Sequence, residues 1–393
     1  MSAAERPALS MFPSSRIAVS LLFLVNGFTV GSWAPMIPEF KTRLGLSEST
    51  LGLMIVAFGV GSLVAMPLVG AMIAKRGSRG IVLVLAAILC LTLTSVLHAP
   101  GVVTAALAIF FTGAFIGGMD VAMNANAVSV ERDMRQAIMS SCHGFWSLGG
   151  FIGAGAGGFL IARLGNEAHV WIVTIASMLI VALAWRITFD DSANHEASEG
   201  KPKAALPRDV LPWAIGLMAL ACMVPEGAVI DWGALYLRQE LGADVAASGL
   251  AFAAFSGTMA VMRFAGDAVR NRFGAVMTLR VSAVFAGAGL AIAAEAVNPG
   301  MAVAGFAIAG LGVANLVPIM FSAAGNLPGY APGVAISVAT FMGYSGILFA
   351  PSLIGFIAEH TGFAIIFLVL ALVFIIVFMA ARIGRHADGI NSA

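Results

Sequence analysis

The sequence predicts an all-α polytopic membrane protein: twelve transmembrane helices in two pseudo-symmetric halves of six. Three observations carry that expectation. The chain is 60% hydrophobic and only 10% charged, whereas a soluble domain carries about 25% charged residues. Its apolar runs are mostly long enough to cross a bilayer, which takes roughly 20 residues of helix. Finally, features of the first half recur in the second at one fixed offset.

The elements follow in order. Residues 1–15 form a short polar tail. Apolar runs then cover about 16–38, 48–73, 80–98, 101–130, 137–163 and 168–189. The first begins near Arg16 with no small-residue cleavage site after it, and so reads as a retained helix. The segment DDSANHEASEGKPKAALPRD at 190–209 has the acid, Lys, Ser and Pro content of a solvated linker. Six further runs lie at about 211–237, 245–269, 275–297, 299–325, 331–358 and 361–384. The expected division is a first half at 1–189, a cytoplasmic linker at 190–210 and a second half at 211–393.

Lys and Arg set the orientation. With the N-terminus inside, sixteen of them fall in inner tails and loops, and only Lys41, Arg43, Arg163 and Arg238 fall outside. Both termini and the linker are therefore expected in the cytoplasm, with the chain in the inner membrane of the cell. Arg263, near the inner end of the eighth run, is left out of that count.

The repeat has an offset of 197 residues. It carries Lys75 onto Arg272 and Gly77 onto Gly274, in the turns after the second and eighth runs. It also carries Gly149 onto Gly346, Gly158 onto Gly355, Phe159 onto Phe356 and Gly165 onto Gly362, in the fifth and eleventh. Repeated halves are the plan of many secondary transporters, with the site near mid-membrane between them.

Composition also excludes. The net charge of +1, with no basic patch, does not point to nucleic acid. Cys90, Cys142 and Cys222 all lie in apolar runs and imply neither a disulfide framework nor a metal site. There is no Walker loop, metal cluster or nucleophile elbow. The expectation is a non-enzyme with no catalytic residue, cofactor or metal, working as a monomer.

Twelve helices, a six-plus-six repeat and basic Gly-containing turns after the second and eighth resemble the major facilitator superfamily. That family's loop signature is Gly-x-x-x-Asp-Arg/Lys-x-Gly-x-Arg. Here Gly70, Ala74, Lys75, Gly77 and Arg79 follow it, with Ala74 where the family usually has Asp. The second copy, RFAGDAVRNRFG at 263–274, has Asp267, Arg270 and Arg272 and is more complete. The resemblance implies a cytoplasmic gate of Lys75, Arg79, Asp267, Arg270 and Arg272. More narrowly, MDVAMNANAVSVE, SSCHGFWSLGG and EGAVIDWGALYLRQELG are similar to bacterial YbjJ-type transporters, related to the fucose permease branch. The family geometry implies that helices 1, 4, 7 and 10 line a cavity, flanked by 2, 5, 8 and 11, with 3, 6, 9 and 12 facing lipid. Run 12, which has no polar side chain over GFAIIFLVLALVFIIVFMA, agrees.

Depth singles out the candidate site. Asp120 lies about eleven residues from the inner surface, or ~16 Å of rise, near the midplane of a ~30 Å core. A charged Asp there costs a few kcal/mol and should be paired or protonated. Asn124 is one turn below on the same face. Asn124 and Asn126 bind a polar solute or tie helices together. His143 enters from the other side of the hairpin, as a proton relay or a structural donor. Its depth differs from that of Asp120 by only ~4.5 Å of rise, so a shared titrating unit is expected if both face inward. Trp146 stacks on a sugar-like ring or packs. In PEGAVIDWGALYL, Glu226 is near mid-span between Pro225 and Gly227, where a break or bend is expected. Asp231 and Trp232 form a gate or an interfacial belt. Asn26 falls on Glu226 when Gly27 is aligned with Gly227. Asn315, with Pro318, is a weaker candidate of the same kind.

By resemblance, the expected function is alternating-access transport of a small polar solute with protons, in a lipid bilayer. The alternatives are a metabolite or drug exporter and a non-transporting membrane sensor. The fifth run lacks the Gly-Pro pair of drug/proton antiporters, and the fourth lacks their buried Arg.

Overall fold

The computed structural model describes residues 13–134, 138–191, 209–327 and 334–388. A few side chains within these stretches, Ala74, Arg132 and Asp267 among them, are outside the described set. So is most of the 190–210 linker.

Among the described residues, eleven helices are long and apolar enough to cross a membrane. One of them, Met139–Ile187, has 49 residues and is broken at Gly165, where φ is 80° and ψ is 168°. Only glycine adopts that conformation readily. A Cβ on Gly157 would sit 3.0 Å from the His169 ring, so the chain reverses at the break. The result is twelve crossings: α1 (Ser14–Leu44), α2 (Glu48–Arg76), α3 (Arg79–Leu97), α4 (Val102–Met134), α5 (139–164), α6 (166–187), α7 (Val210–Gln239), α8 (Leu250–Phe273), α9 (Ala275–Ala294), α10 (Pro299–Ala324), α11 (Val334–Thr361) and α12 (Phe363–Ala380). A short 3-10 segment, Ala381–Asp388, follows.

Small residues set the packing, as they do where lipid offers no hydrophobic force between helices. A Cβ on Gly27 of α1 would lie 1.9 Å from the Trp146 carbonyl of α5, and one on Gly149 would lie 2.2 Å from the Leu24 carbonyl. The α5 glycine track thus brings α5 backbone to backbone with α1. Gly150 and Gly158 of the same track face α8 and the residues just before it. The outer surface is apolar. Leu179 and Leu183 on α6, Val281 and Val284 on α9, and Leu372 and Ile376 on α12 are all exposed. Apolar patches of that extent mark a surface covered by something other than water, here lipid.

The repeat is visible in backbone geometry. All six positive-φ glycines among the described residues form three pairs, Gly45 with Gly242, Gly77 with Gly274 and Gly165 with Gly362, each 197 apart. Two acids share the offset. Asp191, just past α6, accepts from Ser78 N (2.8 Å), Arg79 N (3.3 Å) and Ser78 Oγ (2.6 Å) at the start of α3, and from Ser129 Oγ (3.1 Å) of α4. Asp388, past α12, accepts from Ala275 N at the start of α9 (2.8 Å). Each helix has orphan N–H groups at its start, and in each half the chain end leaving the sixth helix returns an acid to them.

Candidate functional site

A cavity of about 650 Å³ lies between the halves. Helices α1, α4, α7 and α10 line it, with contributions from α2, α5, α8 and α11 and, against the expectation that helix 3 faces only lipid, from Leu93 and Val96 of α3. At the end away from the termini the halves meet. Ser49 N donates to Glu359 Oε2 (3.3 Å), and Arg238 pairs with Glu39 (2.5 Å). Toward the terminal end the lining reaches Glu131, Met139 and Arg270.

Asp120 projects into this cavity from α4. Tyr344 Oη of α11 donates to Asp120 Oδ2 (3.2 Å), a bond that crosses between halves. Asn124 Nδ2 donates to Asp120 Oδ1 (3.2 Å) and to its carbonyl (2.8 Å). Asn124 thus braces the acid and is not itself part of the lining. Asn126 is fully buried and donates to Ser78 Oγ (2.9 Å) and the Phe189 carbonyl (3.0 Å), so it ties helices together.

Glu226 and Asp231 of α7 both line the cavity, as do Asn26, His143 and Trp146. Of the expected break or bend at Pro225, a break is not present: α7 is helical throughout Val210–Gln239 with Pro225 inside it. Trp232 is 1% exposed and stacks near Phe363 (5.5 Å), so it is core and not an interfacial belt. Trp146 Nε1 donates to Asn26 Oδ1 (2.9 Å), and Asn26 Nδ2 donates to the Ile116 carbonyl (3.4 Å). The shared Asp120–His143 unit does not form in this structure. Among the described residues no hydrogen bond joins the two; Asp120 is held by Tyr344 and Asn124, and the His143 ring meets Phe23 edge-on (5.1 Å). Equal depth along two helices does not fix their rotation. Asn315 is 5% exposed, outside the lining, where its Oδ1 would meet a Cβ on Gly266 at 2.3 Å.

Two cavity residues escaped the sequence reading. Arg263 Nη2 lies 3.6 Å from Glu226 Oε2, with the side chains 11% and 16% exposed. Its Nη1 donates to Ser147 Oγ (2.6 Å), and its guanidinium lies 5.9 Å from the Trp146 ring centroid. The signal was available: Arg263 is ten residues from the end of α8 at Phe273, or ~15 Å of rise, as deep as Asp120. Tyr344 is the other, and only the contact across halves reveals it.

The expected gate residues sit at the terminal end. Arg79 pairs with Asp190 (3.0 Å), and Arg270 pairs with Asp388 (3.6 Å) and donates to the Ala387 carbonyl. Lys75 and Arg272 are exposed. The Asp267 side chain is outside the described residues. Burial of Asp191 works to raise its pKa, but the N–H and hydroxyl donors of Ser78, Arg79 and Ser129 outweigh this and hold it below the ordinary carboxylate value.

Comparison with known proteins agrees with this architecture. The model of the Major Facilitator Superfamily matches residues 19–351 and 217–389. An uncharacterized MFS-type transporter of Yersinia pestis is 34% identical over 383 residues, spanning 96% of this chain and 97% of that protein. The membrane protein MosC of Rhizobium meliloti is 32% identical over 378 residues, 95% of this chain and 91% of that one. The crystal structure of the nucleoside transporter NupG superposes with a TM-score of 0.69 at 12% identity, covering 93% of this chain and 97% of that chain. With twelve crossings, a cavity between repeated halves and a family match along nearly the whole length, this chain belongs to the major facilitator superfamily of membrane transporters.

Proposed function

We propose that the chain is a proton-coupled secondary transporter of a small polar solute, working by alternating access. One observation carries the reading. Asp120 and Glu226, the two acids at mid-depth, converge from opposite halves on one cavity and face a network that crosses between those halves. An ionisable group at that depth marks a solute or proton pathway. A bond such as Tyr344 to Asp120 must be made and broken as the halves rock. Asp120 or Glu226 carries the proton; Asn26, Trp146, His143 and Asp231 contact the solute or the proton path.

The excess of Lys and Arg at the terminal end favours that end as cytoplasmic, with both termini inside and the 190–210 linker between two working units. The contacts between Ser49 and Glu359 and between Glu39 and Arg238 then close the outer side, so the conformation is inward-facing. The three segments similar to YbjJ-type transporters favour placement in that branch, near the fucose permeases, in a bacterial inner membrane.

Proteoliposomes separate the readings. With an imposed pH gradient, a symporter accumulates labelled solute, and an exporter moves it into inside-out vesicles only. A sensor binds without flux, and that result would overturn the proposal.

A further inference from the structure

We infer that Arg263 is a solute-binding residue, and that the solute is a monovalent carboxylate with an apolar body whose anion replaces Glu226 beside the guanidinium. This rests on the cavity being the solute site and goes further, to the chemical class it takes.

The guanidinium is only partly satisfied. It has five N–H donors in a fixed fork. One donates to Ser147 Oγ at 2.6 Å. Glu226 lies at 3.6 Å, close enough to neutralise charge and too far to be a hydrogen bond. The Nε is buried with no acceptor among the described residues. Nor does any hydrogen bond reach the Glu226 carboxylate among the described residues. Both members of the pair therefore hold unused hydrogen-bonding capacity although their side chains are largely buried, 11% and 16% exposed, which is costly. A carboxylate that docked two oxygens onto the fork would satisfy it.

The surroundings fix the rest of the molecule. Trp146 lies against the guanidinium, and the cavity wall beyond includes Phe58, Ile109, Val224, Ile230 and Phe321. That wall fits an aliphatic or aromatic body. A single Arg matches a single negative charge; a phosphate dianion would leave charge uncompensated among the acids.

The charges that face the pair are Asp120 and Glu131 from α4, His143 from α5, Asp231 from α7, Arg270 from α8 and the Tyr344 hydroxyl from α11. Asp120 is already held by two donors, whereas Glu226 has only Arg263 to lose. Arrival of the anion leaves Glu226 without its counter-charge, and it takes up one proton. One monoanion and one proton enter together, with no net charge moved.

The test is ligand-induced thermal stabilisation of the detergent-purified full chain. The probes are sodium benzoate and sodium phenylacetate, with benzamide, phenylacetamide and benzylamine as controls. The acids should bind at least tenfold tighter than their amides, and tighter as pH falls. Glu226→Gln should bind the acids at least as tightly and lose that pH dependence. Arg263→Gln, made with Glu226→Gln so that no charge is left unpaired, should lose the preference for acids. Amides that bind as well as acids, benzylamine that binds better, or Glu226→Gln that weakens benzoate would each overturn the inference. Flux plays no part, so binding of acids without transport would sink the transporter reading and leave this one standing.

Discussion

The two halves share a frame and differ in chemistry, and the cavity shows where the divergence lies. Positions 197 apart both line it and carry unlike side chains: Thr29 and Glu226, Met66 and Arg263, Asp120 and Val317, Trp146 and Gly343. The same offset leaves the turn glycines and the acids at the chain ends paired in kind. Backbone features that hold the fold are thus duplicated, and the ionisable groups are not. The C-terminal half supplies the Glu226–Arg263 pair, whereas the N-terminal half supplies Asp120 with its brace, Asn124. The fold needs symmetry to rock between two equivalent states; a solute with its own shape does not.

The sharpest break of the comparison is chemical. If the halves divide labour between proton and solute, Asp120→Asn and Glu226→Gln will not behave alike. At least one should abolish accumulation driven by a pH gradient while counterflow of solute persists, because a neutral mimic keeps the shape and loses the titration. Uptake and counterflow in the same proteoliposomes measure both. If both variants accumulate solute at the wild-type rate, the proton site lies elsewhere.

Packing sharpens the comparison next. Gly149 and its counterpart Gly346 occupy equivalent places, but the neighbours differ in kind. A Cβ on Gly149 meets backbone of α1, the Leu24 carbonyl at 2.2 Å and Phe28 N at 2.7 Å. One on Gly346 meets the flexible ends of Leu220 and Val224, at 2.6 and 3.0 Å. Backbone in a packed pair cannot step aside, and side chains can. Gly149→Ala should therefore cost about 1–3 kcal/mol, the usual toll of overpacking, and Gly346→Ala clearly less. Thermal unfolding of the two variants in detergent compares them; equal losses would mean that α7 and α11 are packed as rigidly as α1 and α5.

These contrasts mark how far the sequence could be read. Crossings and offset were legible because length, hydropathy and glycine spacing are one-dimensional. Position along each helix was legible too: rise per residue singles out Asp120 and Glu226, and both line the cavity. Rotation was not. Asn124 and Asp120 share a face, yet only Asp120 reaches the cavity; His143 shares its depth and lines the cavity too, but its ring meets Phe23 and makes no hydrogen bond with Asp120 among the described residues. Partners across the halves were also out of reach. Nothing local marks Tyr344 as the donor to Asp120, and Asp191, at the edge of a polar linker, reads as solvated although it is 1% exposed. Arg263 was missed for a different reason: it reads as a residue near the inner end of its helix, although ten residues of rise separate it from Phe273.

The gate should be asymmetric to a smaller degree. Arg270 pairs with Asp388 and donates to the Ala387 carbonyl, whereas Lys75 is exposed and follows Ala74. Neutralising Arg270 and Arg272 together should change the labelling rate of a cysteine placed at the terminal end of the cavity several-fold more than Lys75→Gln does. Equal changes would show that both turns bear on the gate alike.

The smallest expected contrast lies between the two returning acids. Asp191 accepts four hydrogen bonds and is 1% exposed. Asp388 accepts from one backbone N–H, and its side chain is 43% exposed. Both place a negative charge at a helix start, where the dipole favours it, but only the first does so away from water. Asp191→Asn should lose about 1–2 kcal/mol, the upper range for a lost helix cap, and Asp388→Asn less than half of that. Acid gives an independent reading. The donors around Asp191 hold its folded pKa below the ordinary carboxylate value, so its charged form is bound more tightly in the folded chain than in the unfolded one. That stability is present in full above the unfolded pKa and is lost as pH falls through the folded one. In detergent, the difference in melting temperature between wild type and Asp191→Asn should therefore be constant at neutral pH and shrink as the medium becomes acidic. A difference that stayed level down to strongly acidic pH would mean that hydrogen bonding, and not charge, is what Asp191 contributes to α3.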